Sequence, residues 1–124
     1  MRIVLAEREA ELMEALWEHG PSTVNEVRAR LQVDLAYTTI LTILRNLEAK
    51  GYVTHKEEGR AHRYGAKVKR EAAQNSALSD LAAKLFKGSS ESLLLRLVSE
   101  KELTPEQVRR IQRLLIKATK KELS

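Results

Sequence analysis

The sequence predicts a mainly α chain interrupted by one small β-hairpin, and three observations carry that prediction. Apolar residues recur at three- and four-residue spacing through most of the 124 residues, the mark of amphipathic helices. Between residues 52 and 65 that period gives way to β-prone residues on either side of Glu58-Gly59. Glycine, proline and capping patterns punctuate the helical stretches at Gly20-Pro21, Lys50-Gly51, Gly88-Ser89 and Thr104-Pro105.

Residues 6 to 19 read as a first helix, because Ala6, Ala10, Met13 and Trp17 line up and Leu12 and Leu16 widen their stripe. Gly20-Pro21 ends it. A second, short helix opens on the capping box Thr23-Val-Asn-Glu26, with Val24, Val27 and Leu31 as its apolar side. A third, residues 36 to 50, closes on Gly51 as a glycine C-cap. The hairpin is expected as residues 52 to 57 and 60 to 65. Three further helices follow, at 69 to 87, 90 to 101 and 105 to 121, the last opened by the capping box Thr104-Pro105-Glu106-Gln107 with proline at the favoured first position.

Helix, short helix, helix, hairpin is the order of a winged helix-turn-helix. We therefore divide the chain into a winged-helix domain, residues 1 to 67, and a three-helix dimerisation region, residues 68 to 124. The apolar residues Leu93, Leu94, Leu95, Leu97 and Val98 cover most of the circumference of a three-turn helix, and Val108, Ile111, Leu115 and Ala118 add a second stripe. Short helices of this kind need cover that a small domain cannot easily supply, so Leu93, Leu94, Leu97, Val98, Val108, Ile111 and Leu115 are expected to meet a second copy. The alternative is packing within the chain.

Composition narrows the function. The chain has no cysteine, which excludes disulfides, thiolate metal sites and cysteine nucleophiles. No leader-like start and no apolar run of membrane-spanning length is present, so a cytoplasmic protein without membrane insertion is expected. The net charge of +5 is unevenly spread. Residues 1 to 66 hold nine Lys or Arg against ten Asp or Glu, and residues 67 to 124 hold thirteen against seven. Arg109, Arg110, Arg113, Lys117, Lys120 and Lys121 read as a solvated face, with contact to DNA backbone or an acidic partner as the alternative. Global charge is thus weak support for nucleic-acid binding, and local placement matters more.

Placement favours the third helix. At about 100° per residue, Ile40, Ile43, Leu44 and Leu47 share one face, while Thr38, Thr39, Thr42, Arg45 and Asn46 share the other. A face of short hydroxyls and an amide with one arginine lets a helix sink against a surface, and the arginine can grip guanine bidentately or bridge to phosphate. Leu41, between the faces, can pack inward or meet a thymine methyl. The competing explanation is that the threonines bond only to carbonyls one turn back. In the hairpin, Lys56, Arg60 and Arg63, with His55 and His62, are placed to hold sugar-phosphate, although Glu57 and Glu58 temper the charge of the tip. Tyr37, Thr38, Thr39, Thr42, Arg45, Asn46, Lys56, Arg60 and Arg63 are accordingly the expected DNA-contact residues.

No nucleophile, base and oxyanion-stabilising set emerges, so no catalytic residue is assigned and an enzyme is not expected. The histidines lack a third converging ligand, so no metal and no cofactor is expected. Two functions stand: a homodimeric, sequence-specific DNA-binding repressor, or a winged-helix protein-interaction module with weak, non-specific DNA binding.

Three segments, EAELMEALWEHGPSTVNEV (9 to 27), AYTTILTILRNLEAKGYV (36 to 53) and EGRAHRY (58 to 64), together resemble the BlaI/MecI penicillinase-repressor family of bacterial transcriptional regulators. The likeness continues more weakly to the last helix. It implies a homodimer whose winged helices bind inverted-repeat operator DNA. It also implies that Thr39 and Thr42 match the recognition-helix threonines, with Thr38 and Arg45 beside them. Three departures stand out. The copper-responsive relatives carry a cysteine cluster that this chain lacks. The antibiotic-responsive ones are inactivated through a signalling membrane metalloprotease, by cleavage at an Asn-Phe bond, where this chain has Arg96-Leu97. Asn46 stands where an arginine is common.

Overall fold

The computed structural model describes the backbone of residues 1 to 123 and the side chains of residues 1 to 120, so Ser124 and the side chain of Lys121 lie outside the described residues. Six helices and a small sheet follow in the order α1 (Glu7–His19), β1 (Ser22–Thr23), α2 (Val24–Arg30), α3 (Tyr37–Ala49), β2 (Val53–Glu58), β3 (Ala61–Ala66), α4 (Arg70–Leu85), α5 (Ser90–Glu100) and α6 (Pro105–Leu123). The chain divides into two compact units, Met1–Asp80 and the residues from Leu81 onward.

In the first unit, a single core gathers Leu12, Met13 and Leu16 of α1, Val24 and Val27 of α2, and Ile40, Leu44 and Leu47 of α3 against Val53 and Tyr64 of the sheet. The helix ends are set locally. Thr23 and Glu26 form the expected capping box at α2, with reciprocal bonds of 3.2 and 2.9 Å. At the end of α3, Gly51 takes φ 84°, its N–H donates to Glu48 O, and the Tyr52 N–H donates to Leu47 O. These two bonds make a Schellman motif, which only a residue tolerant of the left-handed region can close without strain.

The hairpin lies one residue later in sequence than expected, because the Tyr52 amide is used to finish α3. Its loop is Gly59-Arg60, between the paired residues Glu58 and Ala61. Gly59 has φ 62°, as a tight two-residue hairpin turn needs at its first position. The sheet also holds a third strand: β1 pairs antiparallel with β3, Ser22 opposite Tyr64 and Thr23 opposite Arg63, giving the order β1-β3-β2. Two residues carry no period, so no pattern in the sequence marks β1.

The first unit extends past the boundary expected at residue 67, because the start of α4 belongs to it. Ala73 joins the core. The Ile3 N–H donates to Ser76 Oγ at 3.1 Å, the Val4 N–H to the Tyr52 hydroxyl at 3.1 Å, and Arg2 pairs with Asp80 at 3.0 Å. The Trp17 indole N–H donates to Val68 O at 2.9 Å, tying α1 to the segment before α4.

In the second unit α5 and α6 have the expected limits within two residues, and Thr104 and Gln107 form the expected capping box. No residue of α5 is buried. Leu94, Leu97, Val98, Val108 and Leu115 are exposed and Leu93 and Ile111 half-buried. Among the described residues no helix is long and apolar enough to cross a membrane.

One buried carboxylate braces the first unit. Glu9, 8% exposed, accepts the Ala6 N–H at 2.9 Å and two bonds from the Lys50 ammonium at 2.8 Å. It thereby caps α1 and fixes the far end of α3 at once. Desolvation by burial pushes its carboxyl up, but the bond from Lys50, the Ala6 amide and the Lys50 charge together hold it below the ordinary 4.5. A depressed carboxyl stabilises the fold fully above its unfolded value and ceases to do so as pH falls through the folded one. Glu9→Gln is therefore expected to cost about 1–3 kcal/mol in urea unfolding at pH 7. The same variant should lose less stability than the parent when pH is lowered below 4.5.

Candidate nucleic-acid interface

The core fixes how α3 presents its polar side. Ile40, Leu44 and Leu47 are fully buried, Ile43 and Leu41 pack partly against the core, and Thr38, Thr39, Thr42, Arg45 and Asn46 are exposed together on the opposite side. Leu41 packs partly against the core and also lines the recess beside Tyr37 and Arg45. The Thr42 hydroxyl donates to Thr38 O at 2.9 Å, the back-bond to the preceding turn weighed above, which leaves its oxygen free to accept. The N-cap of α3 is Ala36, which offers no side-chain oxygen, and the first turn has no acidic residue. The first-turn amides are thus open to an external acceptor, with the positive end of the helix dipole behind them.

The hairpin is joined to α3 through histidine. His55 Nδ1 lies 2.6 and 2.8 Å from the two carboxylate oxygens of Glu48. The His55 ring stacks on His62 at 4.7 Å and 15°, and lies 5.3 Å from the Tyr64 ring. Burial first, and then the Glu48 charge, push the Tyr64 phenol above 10.0, while nearby Arg45 acts the other way. Sequence reasoning named the histidines as wing residues but missed Glu48, because its partner lies seven residues away across a turn.

Side chains alternate across a strand, and this sorts the expected contact residues. Tyr37, Arg45 and Arg60 meet around one recess of about 160 Å³ between α3 and the hairpin, with His62 on its wall. Lys56 and Arg63, directly paired across β2 and β3, lie on the other sheet face. Arg63 is engaged there: it donates to Glu58 at 2.6 Å, to Glu26 at 2.9 Å and to Pro21 O at 3.2 Å. The Thr23 N–H foremost, and further down Arg63, hold the Glu26 carboxyl below its usual value.

The pairing of the arginines is selective. Met1–Asp80 contains eight, and Arg2, Arg8, Arg28, Arg30, Arg63 and Arg70 each lie within 4 Å of a carboxylate. Among the described residues only Arg45 and Arg60 of this set form no ion pair, and both line the same recess. No group of three or more potential metal ligands occurs among the described residues.

A helix-turn-helix with a buried inner face, an unacidic polar outer face and an adjoining hairpin defines the winged-helix class. Solved structures agree on that fold. The transcriptional regulator Tm0710 from Thermotoga maritima superposes with a TM-score of 0.54 over 93% of this chain and 74% of its own, at 19% identity. MepR, a transcription regulator of the Staphylococcus aureus multidrug efflux pump MepA, gives 0.50 over 94% and 79%, at 19% identity.

The sequence places the chain more finely. Residues 5–117 match the model of the penicillinase repressor family, and the chain belongs to that family of transcriptional regulators. It is similar to the methicillin resistance regulatory protein MecI of Staphylococcus aureus, 23% identical over 91% of this chain and 94% of that protein. It is also similar to the transcriptional regulator BlaI of Mycobacterium tuberculosis, 41% identical over 48% of this chain and 46% of that one.

Arg63, held by two carboxylates, acts first as a strut between β3 and α2. Arg63→Gln is expected to lower the melting temperature and to leave the salt dependence of DNA binding unchanged, as thermal melts and anisotropy titrations at several salt concentrations would determine.

Proposed function

We propose that the protein is a homodimeric repressor that binds inverted-repeat operator DNA, with α3 of each copy in the major groove and the hairpin on the adjoining backbone. The observation that carries the reading is the selective lack of an ion pair at Arg45 and Arg60: among the described residues the other six arginines of the first unit have carboxylate partners, while these two line one recess with Tyr37, at the start of the helix that carries Thr38, Thr39 and Thr42. Thr38, Thr39, Thr42, Arg45 and Asn46 are then the candidates for base edges, and Tyr37 and Arg60 for phosphate. Lys56 joins the backbone contacts only where DNA reaches the outer sheet face.

The second unit supplies the reason for two copies. The exposed Leu94, Leu97, Val98, Val108 and Leu115, with half-buried Leu93 and Ile111, form apolar surface that a second copy would remove from water. Two reading heads held by one dimer match the two-fold symmetry of an inverted repeat. Repression follows from occupying a site that the polymerase needs. The family resemblance implies release through a signalling membrane metalloprotease; in this chain Arg96-Leu97 lies inside α5, with Arg96 paired to Glu100 at 3.3 Å. Cleavage there would require that helix to open.

Fluorescence anisotropy on a duplex from the protein's own promoter region, against a scrambled duplex at two salt concentrations, tests the reading. Specific binding predicts a preference of roughly 10³-fold or more. Equal and weak binding to both, repeated with a random-sequence duplex pool, would instead favour a protein-interaction role. Arg45→Ala is expected to cost about 1–3 kcal/mol, concentrated at one operator position. Leu97→Glu is expected to yield monomers in sedimentation velocity and to weaken operator binding by roughly 10²-fold, since the second head is no longer tethered.

A further inference from the structure

We infer that the recess between α3 and the hairpin is a preformed socket for a single DNA backbone phosphate, built by Arg60, His62 and Tyr37, with Arg45 adding charge from the helix side. The inference deepens the operator-binding reading and rests on it for the source of the phosphate. Three independent observations support it.

The first is chemical. The recess is lined by Val24, Tyr37, Leu41, Arg45, Arg60 and His62, so two guanidiniums, a phenol and an imidazole surround a partly apolar floor. Both guanidiniums lack carboxylate partners among the described residues. A phosphate oxygen set takes bonds from several directions, and an apolar floor strengthens each charge-assisted bond by excluding water. The second is the helix end. Tyr37 is the first residue of α3, whose N-cap Ala36 provides no side-chain acceptor, so open amides and the helix dipole add to the positive field at the same place.

The third is rigidity. The His62 wall is not a loose side chain: it stacks on His55, which is anchored to Glu48 of α3. The socket's two halves are therefore held together by a side-chain chain from Glu48 through His55 to His62, and little ordering remains to be done when an anion enters. Glu57 lies 3.8 Å from His62 Nε2, close enough to orient the ring and exposed enough to turn away. Glu48 and His55 are positioning residues here, and Arg60 and His62 are the contacts.

The experiment has two arms on the full-length protein. In the first, the His62 ring resonances are followed by NMR as inorganic phosphate replaces chloride at fixed pH and ionic strength, in the parent and in Arg60→Gln. A saturable shift in the parent that is absent from Arg60→Gln is expected. In the second, Arg60→Gln and Arg60→Lys are titrated against promoter and scrambled duplexes. The glutamine variant should weaken both duplexes by the same factor, roughly 10-fold, and reduce the salt slope by about 1, with Lys restoring part of the loss.

No shift of His62 in phosphate overturns the socket whatever the DNA result. A shift accompanied by unchanged or absent DNA binding overturns DNA as the source of the phosphate. A loss confined to the promoter duplex makes Arg60 a base reader and also overturns the assignment. A parent protein that shows no preference between duplexes argues against sequence-specific repression alone, since the equal loss on both duplexes and the salt slope still report on the socket.

Discussion

Burial of Ile40, Leu44 and Leu47 sets the rotation of α3, and nearly everything functional in the first unit depends on that rotation. Each of the three is fully excluded from solvent, so turning the helix by even one residue would expose a leucine and bury a threonine or Arg45. Burying a large aliphatic side chain is worth about 1.5–3 kcal/mol, whereas an unpaired guanidinium in the core would cost more than any contact there could return. The polar face is therefore held outward by what lies behind it.

Rotation alone does not place a helix along its axis or angle a hairpin beside it. Those degrees of freedom are taken up at the ends of α3. Lys50 is held by Glu9 of α1, the Gly51 and Tyr52 amides close the last turn, and Glu48 holds His55 of β2. The far side of the hairpin is tied to α2 through Arg63 and Glu26. The helix and the wing are thus braced against each other, as the proposed reading of base edges would need if backbone contacts are to fix its register.

The charge distribution tells the same story at a finer scale than net charge does. The first 66 residues carry nine basic groups against ten acidic ones, and on that count look unsuited to a polyanion. Pairing resolves the discrepancy. Most arginines of this unit are matched to carboxylates, whose charge offsets theirs in the outer field, while Arg45 and Arg60 have no carboxylate partner among the described residues and share one recess. A near-neutral unit can in this way carry a local positive site.

By itself the sequence determined the helix order, the two capping boxes, the glycine stop after α3 and the division of that helix into an apolar and a polar face. Each is a short-range matter, settled by spacing and by which residues satisfy nearby amides. The two-residue strand β1, the one-residue offset of the hairpin and the attachment of α4 to the first unit were decided by tertiary structure, since each depends on partners such as Tyr64, Leu47 and Ile3 that lie far away or across a turn. The same holds within the candidate site. Sequence placed Arg60 and Arg63 alike on a basic wing; strand alternation and the positions of Glu26 and Glu58 turned one into a strut and left the other facing α3, because which carboxylate a guanidinium meets is fixed only when the chain has folded.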